Sequence, residues 1–133
     1  MSRQNLELVR QGYEAWNRGD LGWVLDHTTL DIEFRTAQLF PDTEAVYRGQ
    51  EGFRRFWSTF REPWTTFLIE VVRIEEIGND QVLALLRFHG VGRQEVEVAL
   101  RFAQLITLEG GLVSQLVGFA DWREALEAVG LSE

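Results

Sequence analysis

WTTFLIEVVRIEEIGNDQVLALLRFHGVGRQEVEVALRFAQLITLEGGLVSQLVGFA, residues 64–120, decides the fold. Four runs rich in apolar residues are separated by glycine-bearing breaks. Trp64–Ile77 ends at Gly78-Asn79-Asp80, and Gln81–His89 ends at Gly90-Val91-Gly92. Glu95–Leu108 ends at Glu109-Gly110-Gly111, and Leu112–Ala120 completes the set. Breaks this short and this rich in glycine predict antiparallel hairpins.

Upstream the period changes. Leu6, Val9, Tyr13 and Trp16 recur every three or four residues, which predicts an amphipathic helix over residues 3–17. Asn17-Arg18-Gly19 breaks it, and Asp20 is placed to cap a short second helix carrying Leu21, Val24 and Leu25. Leu30, Ile32 and Phe34 then alternate with Asp31, Glu33 and Arg35, a half-buried strand. Residues 36–48 read as a loop around Pro41-Asp42. From Gly49 the helical period returns, with Phe53, Phe56, Trp57 and Phe60 on one face, until Pro63 stops it. Asp121-Trp122-Arg123-Glu124 is a capping box opening a last helix that ends at Gly130. Helices segregated from an antiparallel sheet make an α+β domain. Long strands wrapped around the N-terminal helices predict a cone-shaped α+β barrel, a curved antiparallel sheet with space for a pocket. Leu6, Val9, Phe53 and Phe60 are the expected core of its helices.

Composition removes whole classes of chemistry. The chain has 133 residues, 45% hydrophobic and 26% charged, as one soluble globular domain over residues 1–133 would have. There is no cysteine, so disulfides, thiolate metal sites and cysteine nucleophiles are excluded. All 13 basic residues are arginine. Without lysine there is no Schiff-base chemistry and no phosphate-loop NTPase. A net charge of −8 is the opposite of a nucleic-acid footprint and argues against anionic membranes. No apolar run is long enough to span a bilayer. Met1-Ser2-Arg3-Gln4-Asn5 leads into a charged helical pattern and not a signal peptide, so a cytoplasmic protein is expected. Gly90-Val91-Gly92 is not a dinucleotide fingerprint, no serine sits in a Gly-x-Ser-x-Gly elbow, and two distant histidines are poor grounds for a metal site.

The element order, together with Tyr13-Glu14-Ala15-Trp16-Asn17-Arg18-Gly19-Asp20-Leu21, Tyr47-Arg48-Gly49-Gln50-Glu51-Gly52, Arg101-Phe102-Ala103-Gln104 through Gly110, and Asp121 with Glu124-Ala125-Leu126-Glu127-Ala128, resembles the SnoaL-like branch of the nuclear-transport-factor-two-like superfamily. The resemblance covers essentially the whole chain and is more specific for fold than for chemistry. It implies a cofactor-free pocket for a small apolar or cyclic, polyketide-like molecule, without a metal. Two functions stay open: a cyclase, dehydratase or isomerase working by proton transfer, or a non-catalytic ligand-binding or dimerisation module. Against ketosteroid isomerases, the base position falls at Thr36, the protonated acid at Gln104, and the helix-one tyrosine near Gly12 and Tyr13. Against limonene epoxide hydrolase, the Arg-x-Asp motif falls at Arg87-Phe88-His89 and the other aspartate at Gly118.

The candidate catalytic set implied by that resemblance is His89 and Asp121 as proton carriers with Arg87 beside them. Strand parity is the condition on this set. Leu86, Phe88 and Gly90 share one face of their strand, and Arg87 and His89 share the other. His27, at the end of the second helix, reads as a structural residue favoured by the helix dipole. Gln104 shares the more apolar face of its strand with Phe102 and Ile106, where an amide must find a partner or a ligand. Tyr13, Trp16, Phe34, Phe56, Trp57, Phe102, Gln104 and Phe119 are the expected pocket lining. Ala99, Ala103 and Leu105 make the second sheet face apolar as well, which predicts a homodimer packed through it.

Overall fold

A computed structural model describes residues Ser2–Ser132. The elements run α1 (Ser2–Asn17), α2 (Leu21–Asp26), β1 (Thr28–Arg35), β2 (Val46–Arg48) and α3 (Gly49–Arg61). Then come β3 (Trp64–Ile77), β4 (Gln81–Gly92), β5 (Glu97–Glu109), β6 (Leu112–Phe119) and α4 (Trp122–Ala128). A short 3-10 turn at Arg93–Glu95 joins β4 to β5. The chain is α+β, with a curved six-stranded sheet ordered β2-β1-β6-β5-β4-β3.

Local chemistry explains the helix ends. Gly19 takes a left-handed φ of +79°, and its N–H donates to the Trp16 carbonyl at 3.1 Å, closing α1. Asp20 Oδ1 then accepts from Trp23 N at 3.0 Å and caps α2. Asp121 Oδ1 accepts from Glu124 N at 2.8 Å and caps α4. The apolar faces of α1 and α3 meet inside the curve of the sheet. Trp16, 8% exposed, packs on Phe53, Phe56 and Phe60, with ring centroids 5.3–5.9 Å apart. Such ring pairs add about 0.5–1.5 kcal/mol each beyond their area burial. Val9, Phe53 and Phe60 are buried as expected, while Leu6 sits half-buried at the edge of the core.

Asn17 ties α1 to the sheet. Its side-chain amide donates to the Ile69 carbonyl at 2.9 Å and accepts from the Ile69 N–H at 2.8 Å. β3 is an edge strand, and this amide pairs with it as a neighbouring strand would.

Three expectations need correction. The sheet is not wholly antiparallel: β1 and β6 run parallel, pairing Phe34 with Leu116. Hairpin logic describes only neighbours in sequence, and this contact closes the sheet between distant segments. Residues 46–48, expected as loop, form β2 and pair antiparallel with β1. Three residues are too few to show a period. On the outer face, Glu33 accepts from Gln115 and from Arg35, both at 3.0 Å, and from Arg48. The Gln115 hydrogen bond first, then Arg35, hold its carboxyl below the usual range.

The third correction concerns Gly90. The strand does not turn there but continues to Gly92, and the reversal falls at Arg93–Glu95, where Gln94 and Glu95 have positive φ. Gly90 is glycine because rings cover it. A Cβ at this position would lie 2.6 Å from the Phe88 ring and 2.8 Å from Trp64 Cε3. Those rings meet at 4.8 Å between centroids. Gly90→Ala is therefore expected to overpack this corner and lower stability by about 1–3 kcal/mol in urea denaturation. An unchanged midpoint would show that the rings yield freely.

Candidate functional site

A cavity of about 120 Å³ lies between α1 and the inner face of the sheet. Along α1 it meets Leu8, Val9, Gly12, Tyr13 and Trp16, and on the sheet Phe34, Phe102, Ile106 and Leu116. It runs lengthwise. At one end lie His27 and Val113, whose N–H donates to the His27 carbonyl at 2.8 Å. At the other lie Gly118 and residues 36–40 of the loop after β1. Val113 and Gly118 are five positions apart on one strand, roughly 16 Å. The space is thus a slender channel. It is smaller than the roughly 300–1,000 Å³ usual for drug-sized ligands and near the roughly 150 Å³ that holds one benzene.

Polar groups in the channel are few and mostly satisfied. Tyr13 Oη donates to Gln104 Oε1 at 2.6 Å, the one pair of lining side chains among the described residues that joins helix to sheet across it. Burial pushes the Tyr13 phenol well above its ordinary value. Thr28 donates to the Leu25 carbonyl at 3.0 Å, Thr43 to the Phe40 carbonyl at 2.8 Å, and Thr36 to the Glu44 carbonyl. No aspartate or glutamate lines the channel among the described residues.

Of the expected pocket residues, Tyr13, Trp16, Phe34, Phe56, Phe102, Gln104 and Phe119 line the channel. Trp57 does not. It stands behind Trp16, edge to face at 4.4 Å between centroids, and carries the Arg61 guanidinium 5.0 Å above its own ring.

The three candidate proton-transfer residues are not brought together in the channel. Leu86, Phe88 and Gly90 take the inner face of β4, which turns Arg87 and His89 outward. His89 Nε2 instead faces Glu70 Oε1 at 3.3 Å, with both side chains about half exposed. Arg87 and Arg101 stack against Trp122, at 5.8 and 4.6 Å from its ring centroid. Trp122 Nε1 donates to the carbonyls of Leu86 and Phe102, at 3.1 and 2.9 Å, and so pins α4 to the outer face. Asp121 is exposed and occupied as the α4 cap. Gly118, one position where an acid was sought, is tight for a side chain: a Cβ would lie 3.1 Å from Ala37 N.

The residue passed over is His27. Its ring stacks on Trp23 at 3.8 Å and 18°, and both residues line the channel. Nδ1 lies 2.7 Å from the Trp23 carbonyl oxygen. A carbonyl can only accept, so Nδ1 carries the proton and Nε2 of the neutral ring presents a lone pair. The sequence signal was the aromatic spacing of four between Trp23 and His27, which stacks two rings at the end of a helix.

The outer face also departs from expectation. Leu83, Leu85 and Ala103 are buried under Ala125 and Leu126 of α4, so part of the apolar second face is covered by the chain itself. Leu68 on β3 remains 50% exposed.

The family model for the SnoaL-like domain matches residues 9–116. No curated protein matches in sequence. Among solved structures, Bal32a from a soil-derived mobile gene cassette superposes with a TM-score of 0.78 at 18% identity, over 88% of each chain. TerC co-crystallised with polyporic acid gives 0.79 at 16% identity, over 95% of this chain and 97% of its own. A candidate SnoaL-like polyketide cyclase from Jannaschia sp. CCS1 gives 0.73 at 18%, over 99% and 95%. At these identities the likeness is one of fold.

The Tyr13–Gln104 pair generates two expectations. Each of Tyr13→Phe and Gln104→Leu leaves a partner unpaired and should cost about 1–3 kcal/mol. The double variant should cost less than their sum, because both polar groups are gone. Above about pH 10 the unfolded chain releases the phenol proton while the folded chain retains it, so stability should fall as pH rises. Urea midpoints between pH 8 and 11 check this. The slope should be shallower in Tyr13→Phe.

Proposed function

The chain belongs to the SnoaL-like domain family, and on that premise we propose that its channel binds a small, slender, largely apolar organic molecule. One observation carries this: among the described residues, an interior channel lined mainly by aromatic and aliphatic side chains is crossed by one side-chain hydrogen bond, Tyr13 to Gln104. Apolar walls supply affinity and a few placed polar groups supply orientation. TerC, of similar fold, has been crystallised with polyporic acid, a precedent for an organic ligand in this architecture.

Gly12 offers the test. It faces the channel from α1, and a Cβ there meets only Trp23 Cζ3, at 3.9 Å. Gly12→Leu should fill the channel without disturbing the helix, where glycine is the poorer residue by about 1 kcal/mol. Wild-type protein should bind one-ring apolar probes such as p-cresol, read by tryptophan fluorescence, and Gly12→Leu should not, while melting no lower. Equal binding by both, or none by the wild type, would overturn the proposal.

A second reading has its own observation, the imidazole of His27 in the channel wall. If the bound molecule is turned over, the reaction is a cofactor-independent cyclisation, dehydration or isomerisation in which His27 Nε2 takes a proton and returns it. None of His89, Asp121 and Arg87 lines the channel, which supports His27 over that set as the proton carrier. His27→Gln should then abolish turnover of an identified substrate while leaving its binding largely intact. We also propose a homodimer, through the part of the outer face around Leu68 and Ala99 that α4 leaves open. Light scattering should give twice the chain mass.

A further inference from the structure

The hydrogen-bonding inventory of the channel describes what could lie in it. Four hydroxyls line it, those of Tyr13, Thr28, Thr36 and Thr43, and each already gives its proton to a protein oxygen. Trp16 Nε1 is sealed among the rings without a partner. Four lining side chains keep capacity in reserve: Trp23 at Nε1–H, Gln38 at Oε1, and His27 and Gln104. Gln104 accepts the Tyr13 proton on Oε1, which leaves the two N–H donors of its Nε2 without a partner among the described residues. His27 spends Nδ1–H on the Trp23 carbonyl, which leaves Nε2 as an acceptor. Neither nitrogen is among the enclosed, unpartnered polar atoms, so both remain reachable.

These two groups are opposite in character and set apart. His27 is attached through its carbonyl to Val113, and Gln104 pairs with Gly118. Between those strand positions lie five steps, roughly 16 Å, with apolar walls of Ile106 and Leu116 along the way. A buried polar group is best matched by its complement, and leaving it unmatched costs a ligand affinity.

We propose that the channel selects an elongated ligand bearing a hydroxyl at the end that meets His27 Nε2 and a carbonyl toward the Tyr13–Gln104 pair, with an apolar, flat body between them. The hydroxyl donates to Nε2, and the carbonyl oxygen accepts from Gln104 Nε2. The inference rests on the channel being the ligand site and adds the chemistry and direction of the ligand. Stacking on Trp23 and the bond to its carbonyl fix the orientation of the imidazole, and in the neutral ring they leave Nε2 as the acceptor.

Three one-ring probes matched to the volume of the channel test it: 4-hydroxybenzaldehyde, benzaldehyde, which lacks the hydroxyl, and 4-ethylphenol, which lacks the carbonyl. The wild type should bind hydroxybenzaldehyde about tenfold more tightly than either analogue. In His27→Leu the preference for hydroxybenzaldehyde over benzaldehyde should vanish while that over ethylphenol remains. In Gln104→Leu the pattern should reverse. A long-range 1H–15N spectrum of the wild type, which needs no variant to fold, should show His27 protonated on Nδ1, with Nε2 shifting on addition of hydroxybenzaldehyde and not of benzaldehyde. Equal affinity for all three, a hydroxyl preference that survives in His27→Leu, or an Nε2 signal indifferent to the hydroxyl would overturn this inference and leave the channel as a ligand site. Failure of all three to bind the wild type would overturn the channel reading and this inference with it.

Discussion

The clasp between the Asn17 amide and the backbone of Ile69 determines where α1 lies against the sheet. It matches both polar groups of one edge-strand residue, a two-point contact that permits little sliding. Everything inside the curve follows from that placement. Trp16, one residue earlier, is carried into the ring cluster of α3. Tyr13, one helical turn back, is carried to Gln104 on β5. The channel is the space left where α1, held at this point, does not reach the sheet.

Sequence periodicity revealed the parts whose neighbours are close in the chain. The alternation of Phe102, Gln104 and Ile106 placed Gln104 inside, and the helical period of Phe53, Phe56 and Phe60 placed α3. Parity along β4 was equally readable: Phe88 inward requires His89 outward, and family analogy pulled the other way. Contacts that depend on distant segments were invisible. Nothing in Val46-Tyr47-Arg48 announces a strand until β1 lies beside it. Gly90 resembled a turn glycine, and only the rings of Phe88 and Trp64 show that it is a packing glycine. His27 was read from its own helix end, whereas its place in the channel is set by β6 and α1.

The two faces of the sheet divide the labour. The inner face encloses the channel and carries no acid into it. The outer face holds the charge: Glu33 with its arginines and Gln115, His89 with Glu70, and Arg87 and Arg101 on Trp122. An arginine pair directly opposite across β4 and β5 repels. The indole face beneath both guanidiniums offsets part of that cost. With Trp122 also bonded to two strand carbonyls, α4 is held as a patch over Leu83, Leu85 and Ala103.

The parallel pairing of β1 with β6 also bears on synthesis. Glu33 and Gln115, bonded across it, are 82 residues apart in the chain. The hairpins of β3 to β6 need only local closure, whereas β1 has no partner on that side until the last strand has left the ribosome. Until then the aromatic lining on α1, β1 and α3 stands open to water and to other nascent chains. Such late, non-local closure slows folding and lengthens exposure to aggregation. For this chain, recovery of folded protein should be governed by the emergence of β6, and a chaperone that shields the segments before it would act at the step where it is most needed.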